Sequence, residues 1–158
     1  MDVIVREAQI EDYDELCRLF EEVDSLHRDN LPAIFQQSTG PVRDRDYVMG
    51  LIADANVALW VANAGEKLVG LAHIFMKTTS PIPFLVPRRY AVIDGFVVAK
   101  ERRHHGIGRL LAEMAHKWAK ARGASGIELN VYEFNREAIA FYERLGYSTL
   151  CRKMNLPL

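Results

Sequence analysis

The sequence predicts an α/β protein with a mixed central sheet of about six to seven strands flanked by about four helices. Three observations predict this class. Short apolar runs alternate along the chain with segments in which apolar residues recur at helical spacing. Two consecutive apolar runs are joined by Asn63-Ala64-Gly65-Glu66, which is typical of a hairpin turn. The later apolar runs are separated by helical segments, as in an α/β fold.

The first half of the chain contains alternating strand-like and helix-like segments. They are a strand at 3–5, helices at Asp12–Val23 and Tyr47–Ala53, and strands at Val57–Ala62 and Lys67–Met76. Segment 27–41 contains two prolines and a glycine, and therefore predicts an irregular connection.

The second half follows the same pattern. Three prolines in 77–89 break regular structure. The predicted elements after them are a buried strand Tyr90–Val98, an amphipathic helix Gly108–Arg122, a strand through Ile127, Leu129 and Val131, a helix from Asn135 to Gly146, and a last strand Ser148–Asn155.

Length, charge and composition limit which classes of function this protein can have. The 158 residues have a size typical of one domain, so we expect a single domain over residues 1–158. A net charge of −1 argues against a protein whose main role is to bind nucleic acid. No run approaches the ~20 apolar residues of a membrane span, and the acidic start does not resemble a signal peptide. Cys17 and Cys151 have no metal-binding spacing. We expect a soluble cytoplasmic protein with reduced thiols.

The stretch ERRHHGIGRLL, residues 101–111, lies between the predicted strand and the predicted helix. Backbone N–H groups of residues 104–109 would face outward at the positive end of the helix dipole, and Gly106 and Gly108 would let an anion approach closely. Leu111 stands where a dinucleotide fingerprint needs a third glycine, and the Gly-Lys-Ser/Thr of a Walker loop is absent. His104 and His105 are adjacent and have no third ligand nearby, so we expect no metal. An ordinary glycine turn remains the alternative.

A second motif makes the interpretation of this turn more specific. Arg103-x-x-Gly106-x-Gly108 is followed, after a strand, by Asn135-x-x-Ala138-x-x-Phe141-Tyr142 and then Gly146-Tyr147. The two motifs, in this order and spacing, resemble those of the GNAT superfamily of acyl-CoA-dependent N-acyltransferases. The resemblance is firm over about 93–147 and diffuse before it.

The resemblance implies acetyl-CoA as a co-substrate. Backbone groups of 96–98 would pair with its pantetheine arm, amides of 104–109 would hold its pyrophosphate, Asn135 would contact it, and Tyr142 would protonate the leaving thiolate. The implied cofactor-binding residues are Phe96, Val97, Val98, Arg103, His104, His105, Gly106, Ile107, Gly108, Arg109 and Asn135. A helix cap at Asn135 and a packed aromatic at Tyr142 are the structural alternatives.

A carboxylate or histidine must take the proton from the amine. Asp94 is the first candidate because a charge inside the apolar run YAVIDGFVV needs a partner or a function, and Gly95 beside it indicates a bulge. His73, the lone polar residue of LVGLAHIFM, is the second, and Glu133 the third. Relatives that acetylate protein N-termini carry a glutamate where this chain has Asn130.

The acceptor is expected to be a primary amine of a small molecule or peptide, walled by segments 25–41 and 77–89. These segments and their flank hold Asp24, His27, Asp29, Phe35, Phe84, Arg88 and Arg89. The alternatives are a non-catalytic acyl-CoA-binding regulatory module and, least favoured, a nucleic-acid-binding protein. An exposed edge strand also makes a homodimer a candidate assembly.

Overall fold

The computed structural model describes residues 2–158. Over this range the chain forms five strands and four α-helices. In chain order they are β1 (Val3–Glu7), α1 (Tyr13–Asn30), α2 (Arg45–Ala53), β2 (Val57–Ala64), β3 (Lys67–Thr78), β4 (Arg89–Val98), α3 (Ile107–Ala121), β5 (Ile127–Leu129) and α4 (Arg136–Arg144). Single turns of 3-10 helix lie at Ile10–Asp12 and Lys100–Arg102. No helix in 2–158 is long and apolar enough to cross a membrane.

The strands form one mixed sheet in the order β1-β2-β3-β4-β5. Neighbours from β1 to β4 are antiparallel, and β5 pairs with β4 in parallel. The predicted fold class and the predicted hairpin between β2 and β3 are therefore confirmed. The parallel pair follows from the chain path, because α3 carries the chain back to the start of β4.

Helices cover both faces of the sheet. Leu16, Leu19 and Phe20 of α1 pack with Leu71 of β3 on one face. Leu111 of α3 packs with the next β3 residue, Ala72, on the other face, and side chains alternate in direction along a strand. Each fully buried leucine contributes roughly 1.5–3 kcal/mol relative to exposure.

The helix α1 is longer than the sequence predicts, since it continues past Val23 to Asn30. His27 lies seven residues after Phe20 and therefore on the same helical face, where its ring stacks on Phe35 at 5.1 Å. Helix α2 begins at Arg45, and the Asp44 side chain caps it by accepting from Tyr47 N at 2.8 Å.

The predicted last strand Ser148–Asn155 is wrong for this structure, and the sheet has five strands rather than six to seven. Segment 148–158 is exposed and has no helix or strand structure. The preceding strand is also shorter than predicted, because β5 ends at Leu129 and Val131 lies outside it. Segment 148–155 has the alternating apolar pattern of a strand, but no strand in the described part of the chain pairs with it.

Candidate active site

The pairing between β4 and β5 stops before β4 ends. The last paired residues are Ile93 and Leu129, whereas β4 continues to Val98. On the β5 side, main-chain groups of 94–98 therefore have no strand partner within residues 2–158. One of them is already occupied, because Arg103 Nε donates to the Val98 carbonyl at 3.1 Å. The splayed pair leaves an edge to which an extended ligand can add as a strand.

The irregularity expected at Gly95 is present in β4. His73 pairs with Gly95 and Ile74 pairs with Ile93, so Asp94 is an extra, bulged residue. The Asp94 side chain is 61% exposed, and its Oδ2 lies 3.5 Å from Nδ1 of His73, which is 6% exposed. The bulge therefore turns Asp94 outward and leaves His73 inside.

The electrostatics of this pair follow from its geometry. Interaction with the His73 imidazole lowers the pKa of Asp94, partial burial opposes the shift, and the charge of Arg43 adds to the lowering. Asp94 is therefore ionised at neutral pH. The other ring nitrogen, Nε2 of His73, is buried and has no hydrogen-bond partner among the described residues. A buried ring nitrogen without a protein partner is costly unless a water or a bound group meets it.

Arg43 and Phe20 were missed by the sequence analysis. Arg43 pairs with Asp24 at 2.8 Å, and its guanidinium carbon lies 4.1 Å from the centre of the Phe20 ring. Both residues line a cleft of about 180 Å³, together with Cys17, Glu21, Asp24, Gln37, Ser38, Gly40, Pro41 and Val42. No local pattern could identify Arg43, because its partners are about twenty positions away in the sequence.

An aromatic cluster joins two connections that are distant in sequence. His27 and Phe35, from α1 and the loop after it, meet Tyr132 and Phe134 from the loop between β5 and α4. Ring centres lie 5.1–5.9 Å from His27. Burial lowers the pKa of His27, which favours the neutral ring at neutral pH. His27 and Phe35 lie in a segment predicted to wall the acceptor, whereas no sequence pattern pointed to Tyr132 and Phe134.

The other predicted wall, segment 77–89, lies where β4 begins. Arg88 binds Glu128 at 2.9 Å and covers the ring of Tyr90. Phe84 is 82% exposed. Glu133, the third candidate base, is exposed and pairs with Arg136 at 3.2 Å.

The glycine-containing turn leads directly into α3, which begins at Ile107 rather than Gly108. Gly106 has φ 82° and is the N-cap, and its carbonyl accepts from Leu110 N. The first N–H groups of the helix have no partner within the helix, so they point out of the turn. His104 also has a positive φ of 64°, which is uncommon for a residue with a side chain. The backbone therefore adopts two left-handed positions in this turn, at His104 and Gly106.

A carboxylate lies beside this turn. Glu137, in the first turn of α4, is 3.1 Å from His104 Nε2 and 3.6 Å from Arg103 NH1. No sequence pattern pointed to Glu137. Its contacts show that the side chains at this turn attract a negative group, and they link the turn to α4.

Gly108 has a packing role in addition to the expected close approach. A Cβ at this position would lie 3.2 and 3.3 Å from Phe141 ring carbons and 3.6 Å from Val98 Cγ2. The start of α3 therefore sits directly against α4 because Gly108 has no side chain.

Helix α4 carries two predicted site residues, of which Asn135 lies at its start and Tyr142 lies near the unpaired part of β4. Asn135 caps the helix, its Oδ1 accepting from Ala138 N at 3.2 Å, and the Tyr142 ring lies 6.1 Å from Phe96. Burial raises the pKa of Tyr142, with a smaller contribution from Tyr147. Tyr142 is therefore protonated throughout the ordinary pH range.

The two candidate groups lie on opposite faces of the sheet. Phe96, which Tyr142 contacts, packs in clusters on the α3 side, whereas Gly95, opposite His73, faces Phe20 of α1. Between these faces is the splay of β4 and β5. A molecule that fills the splay can therefore meet Tyr142 from one side and Asp94 from the other.

Comparison with known proteins agrees with this geometry. Residues 20–147 match the acetyltransferase (GNAT) family. The chain belongs to the GNAT family. A mutant of the BH1408 protein from Bacillus halodurans has a crystal structure similar to this GNAT fold, with TM-score 0.92 and 32% identity over 98% of this chain and 99% of its own. A transcriptional regulator from Bacillus halodurans C-125 superposes with TM-score 0.77 and 25% identity over 99% of this chain and 100% of its own.

A curated relative is also an acetyltransferase. The uncharacterized N-acetyltransferase YobR of Bacillus subtilis (strain 168) is 35% identical over 66 residues, 38% of this GNAT chain. The match spans 27% of the length of that relative. GNAT membership indicates an acyltransferase, and the family generally uses acetyl-CoA.

Proposed function

We propose that residues 1–158 form one N-acetyltransferase domain that moves an acetyl group from acetyl-CoA to a primary amine of a small molecule or peptide. The transfer is direct, within a ternary complex. The observation that carries the proposal is the convergence on the splayed part of β4. Tyr142 lies against Phe96 from one face, and the His73–Asp94 pair lies at the bulge on the other.

We infer three sets of contacts with acetyl-CoA from the described residues. The unpaired edge at Phe96, Val97 and Val98 suits the amide groups of the pantetheine arm. The backbone amides from His104 to Arg109 suit the pyrophosphate. Arg103, which contacts the Val98 carbonyl and Glu137, would leave these partners and bind the negatively charged pyrophosphate. Asn135, at the start of α4, contacts the arm between these points.

In the reaction, the amine nitrogen attacks the thioester carbonyl carbon, a C–N bond forms, and the C–S bond breaks. Tyr142 gives its proton to the departing thiolate, whose ordinary pKa is ~8.5 against ~10 for a phenol. Burial of Tyr142 keeps the phenol protonated until it donates. General acids of this kind contribute roughly 10²–10⁴-fold to the rate.

The incoming ammonium must first lose a proton. Asp94 is the exposed member of its pair, so it contacts the ammonium directly or through one water. A carboxylate with a lowered pKa is a weak base on its own. The His73 ring behind it is the positioning residue, whose Nδ1 lies 3.5 Å from the carboxylate and holds it in place. The two side chains therefore act together.

The acceptor enters on the α1 side of the sheet. We infer that the acceptor passes through the cleft lined by Phe20 and Arg43, because the charge of Arg43 acts on Asp94 at the bulge. The aromatic cluster of His27, Phe35 and Tyr132 closes the neighbouring part of this side. These rings suit an acceptor with an apolar body next to its amine.

The test is thiol release from acetyl-CoA with a panel of amines. We expect Tyr142→Phe to lower kcat by roughly 10²-fold or more while the CoA affinity is retained. Tyr147→Phe is the matched control, because the Tyr147 hydroxyl is bound to His116 at 2.8 Å rather than exposed to the splay. Equal turnover of wild type and Tyr142→Phe would show that Tyr142 is not the general acid.

The second residue test concerns the base. We expect Asp94→Asn to lower kcat at neutral pH and His73→Asn to lower it less, with a changed pH profile. Full activity in Asp94→Asn across the pH range would refute the role of Asp94 and His73 in taking the proton from the amine.

A regulatory acyl-CoA-binding module is the second candidate function. It is favoured by the similarity to the structure described as a transcriptional regulator. This alternative requires CoA binding by calorimetry with no thiol release for any amine.

A further inference from the structure

The connection between α1 and α2 is anchored at two points. Residues 36–42, called here the cleft loop, are all exposed, and no hydrogen bond between main-chain groups holds them within residues 2–158. The two residues that flank the cleft loop, Phe35 and Arg43, are half-buried. The Phe35 ring packs in the aromatic cluster, 5.1 Å from His27 and 5.6 Å from Tyr132. The position of the cleft loop therefore depends on Phe35 at one end and on Arg43 at the other.

Arg43 attaches its end of the cleft loop to one stripe of α1. Its carbonyl accepts a hydrogen bond from the Tyr13 hydroxyl at 3.0 Å and lies 3.9 Å from Cys17 Sγ. Its guanidinium donates to both carboxylate oxygens of Asp24, at 2.8 and 3.3 Å, and the guanidinium carbon lies 4.1 Å from the centre of the Phe20 ring. Residues four, seven and eleven positions after Tyr13 share its face of the helix. Arg43 is therefore joined to α1 over about three helical turns.

The side chain of Arg43 is suited to this anchor in a way that a lysine is not. A planar guanidinium binds a carboxylate through two hydrogen bonds while its face lies on an aromatic ring, and an ammonium cannot do both. The side chains of Arg43 and Asp24 are 26% and 19% exposed, so water and salt screen their attraction less than that of a fully exposed pair.

The Phe20 ring connects this anchor to the bulge of β4. A Cβ added at Gly95 would lie 3.4 Å from Phe20 Cε1 and 3.4 Å from His73 Cβ. The same ring lies under the guanidinium of Arg43, and Phe20 is 5% exposed. One buried ring therefore contacts both the anchor of the cleft loop and the bulge that presents Asp94.

The cleft of about 180 Å³ lies between the cleft loop and α1. Gln37 and Val42 line it from the loop, and Cys17 lines it from the helix. Arg43 also lines the cleft and joins the two walls through its pair with Asp24. A shift of the loop away from α1 therefore widens the cleft.

We propose that Arg43 is a positioning residue for the acceptor, because its attachment to α1 sets the width of the cleft beside Asp94. This inference rests on the proposed function, in which the acceptor passes through the cleft. A misplacement of about 1 Å in a positioning element can lower a rate by roughly 10²-fold. Loss of Arg43 therefore weakens binding of the acceptor amine. Binding of acetyl-CoA is retained, since its proposed contacts lie on β4, the glycine-containing turn and α4.

The first test measures the position of the cleft loop without acetyl transfer. Cys17 lines the cleft and is half-buried, whereas Cys151 is exposed, so labelling of Cys151 controls for the activity of the reagent. We expect Arg43→Gln to raise the rate at which a maleimide labels Cys17 by about tenfold and to leave the rate at Cys151 unchanged. Mass spectrometry of the labelled peptides gives both rates.

Arg45→Gln is the matched control for this test. It removes the same charge at the first residue of α2, where the guanidinium carbon lies 5.5 Å from the centre of the Tyr13 ring, and it leaves the Arg43 contacts in place. Both labelling rates should stay at their wild-type values. An unchanged Cys17 rate in Arg43→Gln, or an equal acceleration in Arg45→Gln, would overturn the proposal.

A double-variant cycle tests whether the pair of Arg43 and Asp24 carries the effect. Asp24→Asn removes the partner and leaves Arg43 in place, so it should also raise the Cys17 rate. The variant with both Arg43→Gln and Asp24→Asn should be labelled no faster than the faster single variant, because both substitutions break the same contact. Fully additive effects on the Cys17 rate would refute the attachment through this pair.

The second test separates acceptor binding from the rest of the reaction. In thiol release with saturating acetyl-CoA, we expect Arg43→Gln to raise the acceptor KM by about tenfold and to change kcat and the CoA Kd by less than about twofold. Arg43→Lys should recover part of the loss, because it keeps a positive charge opposite Asp24 without the flat contact on Phe20. Equal losses in acceptor KM, kcat and CoA affinity would show general damage to the fold and overturn the role. If the wild type releases no thiol with any amine, the proposed function fails, and the Cys17 rates still decide whether Arg43 holds the cleft loop.

Discussion

The contact between Gly108 and Phe141 makes a quantitative prediction about how α3 and α4 are held together. A Cβ at position 108 would lie 3.2 and 3.3 Å from the Phe141 ring, so the ring must move by a few tenths of an ångström. Overpacking of this kind costs about 1–3 kcal/mol. Alanine is favoured over glycine by about 1 kcal/mol inside a helix, which offsets part of that cost. We expect Gly108→Ala to reduce the free energy of unfolding by about 1 kcal/mol.

The assay is urea unfolding of a double-mutant cycle with Phe141→Leu. A smaller side chain at position 141 relieves the collision, so the two substitutions should couple by about 1 kcal/mol. Gly106→Ala is the matched control. An added Cβ at Gly106 has no atom within 4 Å, and its cost of about 1–2 kcal/mol comes from φ 82° alone. It should not couple to position 141.

Two results would refute this reasoning. If Gly108→Ala is as stable as the wild type, the Phe141 ring moves aside freely and the packing role is wrong. If Phe141→Leu restores both glycine variants equally, the coupling reflects general softening of α4 rather than this contact.

Two further expectations follow from charges. Glu137 competes with bound phosphate for Arg103 and His104, so Glu137→Gln should tighten CoA binding by about two- to fivefold in calorimetry; weaker binding would contradict it. Arg6 lowers the pKa of Asp12 through paired hydrogen bonds of 2.7 and 2.8 Å. The resulting stability is present above the unfolded pKa of ~3.9 and is lost as pH falls through the lower folded value. Asp12→Asn should therefore cost ~1 kcal/mol in urea unfolding at pH 7 and little at pH 2; a pH-independent loss would contradict it.

The sequence predicted elements that are determined locally. The apolar stripe of α3, the Asn135 cap and the hairpin after β2 depend on residues within a few positions of each other, and each is present in the structure. The bulge beside Gly95 was also indicated by local signals, an acid and a glycine inside an apolar run.

The sequence could not predict what depends on distant partners. The alternation in 148–155 shows which residues can share a strand face, but it does not identify the edge that the strand joins. Two sets of contacts join positions far apart in the chain. Arg43 contacts Asp24 and Phe20, and Phe35 contacts Tyr132. These contacts depend on how α1 lies on the sheet, and no short pattern encodes that placement.

The bulge at Asp94 also has a consequence for the direction of every side chain that follows it in β4. Ala91 and Ile93, before the bulge, pack toward α3, whereas Val97, an odd position after it, packs toward α1. The extra residue thus reverses the odd–even pattern halfway along the strand, which is why the run shows no simple alternation in the sequence. Removing one residue at Asp94 would rotate the second half of the strand and turn Phe96 from Tyr142 toward the opposite face. One inserted residue therefore sets the side-chain directions of the whole end of β4 that has no partner on its β5 side.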